Sequence, residues 1–189
     1  MPNERSRELR DVAQRVADAL PPAVAEEVVL TGSVSRGVAD ELSDIEMLIV
    51  TPEPIELAAC FEHARAAGLV ELDTWGEQST PTRRVFGYRE GIPLELVWWS
   101  REHAESSLDA LFRGEASAAA DAIVHGVALR TSGFLSRWQA RLRDYPEELA
   151  RARIEDAARI PEFVGEAVRH ATAARPGPVY SICLRKCSL

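Results

Sequence analysis

Asp44 and Glu46 stand in the segment Ser43-Asp-Ile-Glu-Met-Leu-Ile-Val, whose other residues from Ile45 to Val50 are apolar. A short apolar run bounded by turn residues reads as a buried strand. Side chains alternate faces along a strand, so the two acids point the same way, while Ile45 and Met47 face the opposite layer. Two carboxylates on one such face cost free energy unless a cation or hydrogen bonds compensate them. Hard divalent ions such as Mg²⁺ suit oxygen ligands of this kind, so the pair asks for a metal.

The surrounding pattern supplies a sheet for that strand. Leu9, Val12, Val16 and Leu20 recur at helical spacing, and Pro21-Pro22 ends the segment. Glu27 to Thr31 reads as a second buried strand, broken by Gly32-Ser33 and expected beside the run from Ile45 to Val50. Ile55, Leu57, Ala58, Phe61, Ala64 and Leu69 predict a helix covering the sheet, with Gly68 as its stop. The stretches 82–88 and 92–99, joined by Arg89-Glu90-Gly91, predict an antiparallel hairpin, with Trp98 and Trp99 on opposite faces. Arg83 and Arg84 on this hairpin are expected to be solvated, with reach of one of them to a bound phosphate as the lesser alternative. Beyond Ser100 helical periodicity takes over, near 102–113, 117–130, 133–144, 147–159 and 161–174, before an apolar segment at the end. His125 reads as a core or interface residue of the second of these segments. The expected fold class is α+β: a small mixed sheet with flanking helices over residues 1–100, followed by a helical domain over 101–189.

Composition narrows the function classes. The 189 residues are 46% hydrophobic and 28% charged, which suits a globular chain. Thirty acidic against 22 basic residues leave a net charge of −8, which argues against a broad phosphate-neutralising face and hence against long nucleic acid as partner. An acidic surface favours a cationic small molecule instead. Three cysteines without paired ligand spacing point to a reducing, cytoplasmic location rather than to disulfides or zinc. No stretch approaches the roughly 20 apolar residues of a membrane span.

Two further features converge on the acid pair. Gly32-Ser33 follows a strand, where a glycine lets backbone N–H groups approach an anion and the next turn presents its positive end. The Ser33 hydroxyl adds a donor, and Arg36 one turn later adds charge. The other feature is Glu95, the one charge between Gly91 and Arg101. If its strand lies beside that of Asp44 and Glu46, three carboxylates surround one point, the arrangement that holds two divalent ions about 3.5–4 Å apart.

These residues resemble the nucleotidyltransferase superfamily named after DNA polymerase beta. Its signature is a hydrophobic residue, Gly, Gly or Ser, a spacer, Asp-hydrophobic-Asp or Glu, and a later carboxylate. Leu30-Thr31-Gly32-Ser33, residues 34–43, Asp44-Ile45-Glu46 and Glu95 match each part. The segments Asp121 to Leu129 and Arg141 to Leu149 resemble, more weakly, the helical domain of the small antibiotic-type nucleotidyltransferases, those acting on aminoglycosides or lincosamides. The resemblance implies that Gly32, Ser33, Arg36 and Ser43 bind the nucleotide. Asp44 and Glu46 bind Mg²⁺, with two ions expected, and Glu95 is a metal ligand or the base at the acceptor hydroxyl. It further implies transfer of a nucleoside monophosphate, AMP foremost, from a nucleoside triphosphate such as ATP to a small hydroxylated acceptor, releasing pyrophosphate. Related chains usually continue through further helices, so the helical part is expected to be cut short. Two alternatives stand beside this reading: an inactive binding or interaction protein on the same fold, and a protein- or RNA-nucleotidylating, antitoxin-like enzyme. Monomer and homodimer are both compatible with the sequence.

Overall fold

The structure, a computed structural model, describes residues 2–74, 81–115 and 119–152. The chain divides into two compact units, 1–144 and 145–189. In the second, residues 147–152 are helical, where the sequence predicts the start of a helix. The helix expected over 161–174 and the terminal apolar segment lie outside the described residues.

Asn3 starts the first helix, α1 (Glu4–Ala19), by accepting the Ser6 N–H on its side-chain oxygen at 2.8 Å. Leu9, Val12 and Val16 form the buried stripe, and the helix ends at Leu20 before the proline pair. Strand β1 (Glu27–Thr31) runs directly into a five-residue helix, α2 (Gly32–Arg36), and strand β2 (Ile45–Thr51) returns antiparallel beside β1. Helix α3 (Leu57–Ala66) buries Cys60 and Ala64 and is stopped by Gly68 at a φ of 81°. Burial pushes the Cys60 thiol up to about 12, so it is a packing group and not a nucleophile.

A four-residue strand, β3 (Val70–Asp73), leads to the hairpin of β4 (Thr82–Arg89) and β5 (Ile92–Ser100). Glu90 and Gly91 both have positive φ, 56° and 76°, the two-residue turn geometry whose twist suits a hairpin. Helix α4 (Arg101–Phe112) starts at Ser100, whose hydroxyl accepts the His103 N–H. Helix α5 (Ala119–Val124), strand β6 (Val127–Arg130) and helix α6 (Phe134–Leu142) complete the first unit.

The six strands lie in the order β3-β4-β5-β2-β1-β6, with β2 and β5 parallel and every other pair antiparallel. The parallel pair is possible because α3 and the two strands after it form the crossover that such pairing requires. One face of the sheet, with Val28, Leu30, Ile45, Met47, Ile49, Leu94, Leu96 and Trp98, joins α1 and α3 in the main hydrophobic core. The opposite face carries Thr31, Glu46, Leu48, Glu95, Val97 and Trp99, and α4, α5 and α6 pack along it. Trp98 and Trp99 thus point to opposite layers, as expected. Among the described residues no helix is long and apolar enough to cross a membrane.

Two strands depart from the sequence reading. Of residues 117–130, expected as one helix, those described from 119 on form the short α5 and then β6, which pairs antiparallel with β1. The N–H and C=O groups on that side of β1 need partners, and Val127 to Arg130 provide them, which outweighs local helix propensity. At Gly126 a Cβ would stand 2.1 Å from the carbonyl oxygen of Ala122, so glycine is required where the chain leaves α5. His125, expected as a core or interface residue, is exposed at this corner and so is not part of the core. With β6 in the sheet, the first unit extends beyond residue 100 to Asp144. The other unforeseen strand, β3, is short and largely exposed at the sheet edge, and its Glu71 has a positive φ of 52°. Its sequence, Val-Glu-Leu-Asp, does alternate apolar and polar residues, but over four positions only, the shortest run that can signal a strand.

Candidate active site

The register of the three central strands builds the site. Thr31 of β1 is paired with Glu46 of β2, and Glu46 with Glu95 of β5. The three residues form a row across adjacent strands about 4.8 Å apart, all on the face away from the main core. Glu95, which sequence reasoning could place near the acid pair only by assuming strand adjacency, is therefore the direct neighbour of Glu46. A cleft of about 240 Å³ opens over this row, bounded by Thr31, Glu46, Leu48, Arg84, Glu95, Val97, Trp99 and Ala122.

Gly32 closes one end of the row. Its φ is 68°, a left-handed conformation that side chains rarely adopt, and a Cβ there would lie 2.3 Å from Oε2 of Glu46. The backbone and the Glu46 carboxylate thus approach one another as only glycine allows, at the point where β1 becomes α2. Ser33 is the second residue of α2 and is half-buried, and its carbonyl accepts the Val38 N–H. Gly32→Ala should therefore displace the Glu46 carboxylate and strain the turn. The expected stability loss is about 1–3 kcal/mol, read by denaturant unfolding.

The other sequence-derived residues take varied positions. Asp44 is half-buried one residue ahead of β2, at the end of a loop that Ser43 and Asp40 hold together. The Ser43 hydroxyl donates to Asp40 Oδ1 at 2.8 Å and accepts the Asp40 N–H at 2.9 Å, while Leu42 N–H donates to the same carboxylate. The Ser43 bond, with the backbone bonds, holds the Asp40 carboxyl below its ordinary range. Ser43 thus shapes the approach to Asp44. Arg36 is exposed at the end of α2. Among the described residues, no three His, Cys, Asp or Glu side chains stand close enough together to grip one metal ion. The register brings Glu46 and Glu95 together, and Asp44 precedes them in the chain. The oxygen-only donors of this pair, beside a cradle that a Cβ would fill, fit a hard divalent ion such as Mg²⁺.

Positive charge reaches the row from β4. Arg84 donates through Nη1 to Oε1 of Glu95 at 3.0 Å, with the Glu95 side chain 10% and the Arg84 side chain 34% exposed. This arginine was expected in solvent. The signal that finds it is strand parity: the two-residue turn pairs Arg89 with Ile92, hence Arg84 with Val97 and Phe86 with Glu95. Arg84 therefore lies diagonally beside Glu95 on the cleft face. Trp99 closes the cleft wall and meets the His103 ring edge-on at 5.0 Å. Burial lowers the pKa of His103, disfavouring the charged form of the ring.

Residues 9–89 match the family model of the nucleotidyltransferase domain. The matched segment contains Gly32, Asp44 and Glu46, and Glu95 follows it on β5. A solved nucleotidyltransferase-like protein from Exiguobacterium sibiricum 255-15 is similar at 12% identity over 77% of this chain, with a TM-score of 0.43. The Cid1 poly(U) polymerase with Mg 3'-dATP bound is similar at 16% identity over 66% of this chain, with a TM-score of 0.38. Cid1 in complex with the UTP analogue UMPNPP is similar at 15% identity over 59%, with a TM-score of 0.35. The alignments take in 40%, 41% and 39% of those three chains, so this chain spans about two fifths of their length. No curated protein sequence matches this one. Residues 9–89, a little under half of the chain, are thus the part that matches a nucleotidyltransferase domain.

Proposed function

We propose that this chain is a Mg²⁺-dependent enzyme that transfers a nucleoside monophosphate, AMP foremost, from a nucleoside triphosphate to a hydroxyl of a small acceptor. The observation that carries this reading is the side-by-side pairing of Glu46 and Glu95 next to the Gly32 cradle, within a nucleotidyltransferase domain. Asp44 and Glu46 would hold Mg²⁺, and two ions are the expectation. The metal supplies neutralisation of the charge that builds on the α-phosphate. The backbone at Gly32 and Ser33 receives the triphosphate at the start of α2, and Arg36 adds charge nearby. Glu95 serves as metal ligand or takes the proton of the acceptor hydroxyl. In the transfer the acceptor oxygen forms a bond to the α-phosphorus while the bond from that phosphorus to the bridging oxygen of pyrophosphate breaks. The hydroxyl proton leaves to a carboxylate or to water. Holding donor and acceptor in line is the remaining contribution of the cleft.

The net charge of −8 favours an acceptor carrying positive charge, with aminoglycosides the first to try. The test incubates the full chain with Mg²⁺ and labelled ATP, GTP, CTP or UTP against a panel of hydroxylated small molecules, short RNAs and the protein itself. The expected result is a small-molecule product heavier by one nucleoside monophosphate, lost when Mg²⁺ is chelated. Label on RNA or protein would replace the acceptor class with the nucleotidylating alternative. Metal-dependent nucleotide binding with no product in any arm would make the chain a binding module and overturn the enzymatic reading.

A further inference from the structure

Glu46 and Glu95 are like charges directly opposite one another on neighbouring strands, an arrangement that destabilises a sheet unless something offsets it. Arg84 is the cation at hand, bonded to Glu95 Oε1 at 3.0 Å from the diagonal position on β4. We propose that Arg84 is an exchangeable counter-cation: it balances Glu95 when no metal is bound and gives up that carboxylate to the ion. The proposal rests on the reading of Glu46 and Glu95 as part of a Mg²⁺ site and adds a residue that sets how readily that site loads.

Three features support an exchange in place of a fixed pin. The two partners are unequally buried: the Glu95 side chain is 10% exposed and held in the sheet, whereas the Arg84 side chain is 34% exposed at the cleft margin. Its guanidinium can leave Glu95 for water without crossing the core, because the long aliphatic stem of an arginine lets the head reach solvent. The backbone beneath it is anchored, since Thr74 Oγ1 donates to the Arg84 carbonyl at 2.6 Å and β4 pairs with β5 through residues 82–89. The movement is therefore confined to the side chain. The charged residues that border the cleft are Glu46, Glu95 and Arg84. Entry of a divalent ion there sets a second positive charge beside the guanidinium. Repulsion between the two favours release of the weaker ligand, and an ion with a vacant oxygen site competes for the same Oε1 lone pairs that Arg84 uses.

The exchange has a cost that appears in metal affinity, because the ion must break the Arg84–Glu95 pair. The test is calorimetric titration of the full chain with Mn²⁺ alone, without nucleotide, on the wild type and on Arg84→Gln and Arg84→Lys. Arg84→Gln should bind Mn²⁺ about two- to fivefold more tightly than the wild type, the factor a partly exposed ion pair of this kind is worth. It should also melt at a lower temperature without metal and recover more on adding Mn²⁺ than the wild type does. Arg84→Lys keeps the charge and should stay near the wild type. Should Arg84→Gln fail to fold, Arg84→Met takes its place: Mn²⁺ binding at least twice as tight as in the wild type supports the exchange, and equal or weaker binding overturns it. Unchanged or weaker Mn²⁺ binding by a folded Arg84→Gln protein makes Arg84 a structural pin and overturns the inference alone. If Glu46→Gln leaves Mn²⁺ binding untouched in the wild-type background, the ion does not sit at this row. The reading of the metal site and the inference then fall together.

Discussion

Replacing Glu46 with glutamine should lower nucleotidyl transfer by roughly 10³-fold or more, with the fold intact. Glu46 is the middle of the Thr31–Glu46–Glu95 row, and its Oε2 is the atom that Gly32 leaves room for. The amide keeps the size and shape of the side chain but gives up the charge that holds a divalent ion. A metal at a phosphoryl centre contributes several kcal/mol to the transition state, and each 1.36 kcal/mol is tenfold in rate, which sets the magnitude. Stability should move little or rise slightly, because the change removes a like-charge neighbour of Glu95. Single-turnover rates beside thermal melts separate the two effects. Activity within tenfold of the wild type would remove Glu46 from the chemistry. Asp44→Asn is the companion change: a loss of similar size would assign both acids of the Asp44-Ile45-Glu46 segment to the metal.

The second large effect concerns a carboxylate that has no part in the cleft. Glu27 is fully buried at the start of β1, and its two oxygens accept from Thr131 Oγ1 at 3.0 Å, Ser132 N at 2.5 Å, Ser132 Oγ at 3.0 Å, Phe134 N at 3.3 Å and Leu135 N at 3.1 Å. A buried carboxylate tolerates its surroundings only with such a set of donors, and here they are the N–H groups and hydroxyls at the start of α6. The charge also faces the positive end of that helix. Truncation in Glu27→Ala leaves several buried donors without partners, and the expected cost is about 3–5 kcal/mol. Glu27→Gln should fall between, since an amide offers one acceptor oxygen where the carboxylate offers two. Denaturant unfolding measures both. A Glu27→Ala protein within 1 kcal/mol of the wild type, a margin far below the cost of orphaned buried donors, would mean that water or a shifted α6 satisfies them.

The legibility of these features differs for physical reasons. The Gly32-Ser33 turn and the Asp44-Ile45-Glu46 strand are local: each follows from which residue types stand side by side and from the two-residue period of a strand. The hairpin of β4 and β5 was equally plain, because Glu90-Gly91 suits the positive φ values its turn requires. Arg84 was within reach, since the same turn fixes the parity that puts it on the face of Glu95, but its neighbour Arg83 offers an identical composition signal. Strand β6 was not, because Val127 to Arg130 follow an alanine-rich helical pattern and become a strand by completing the hydrogen bonds of β1. Glu27 looked like any charged strand end, and its donors come from more than 100 residues later in the chain.

By itself the amino-acid order determined the alternating faces of β1, β2 and β5, the glycine at the end of β1, and the presence of Glu46 and Glu95 in otherwise uncharged strands with Asp44 just ahead of the first. These depend on steric and hydrophobic rules acting over a few residues. Only the tertiary structure decided that β2 and β5 lie parallel with Glu46 beside Glu95, that Arg84 completes the charge balance there, and that β6 and α6 fasten onto β1 through Glu27. Pairing between distant strands is set by which edges and carboxylates find partners once the chain closes on itself, and no local pattern encodes that choice.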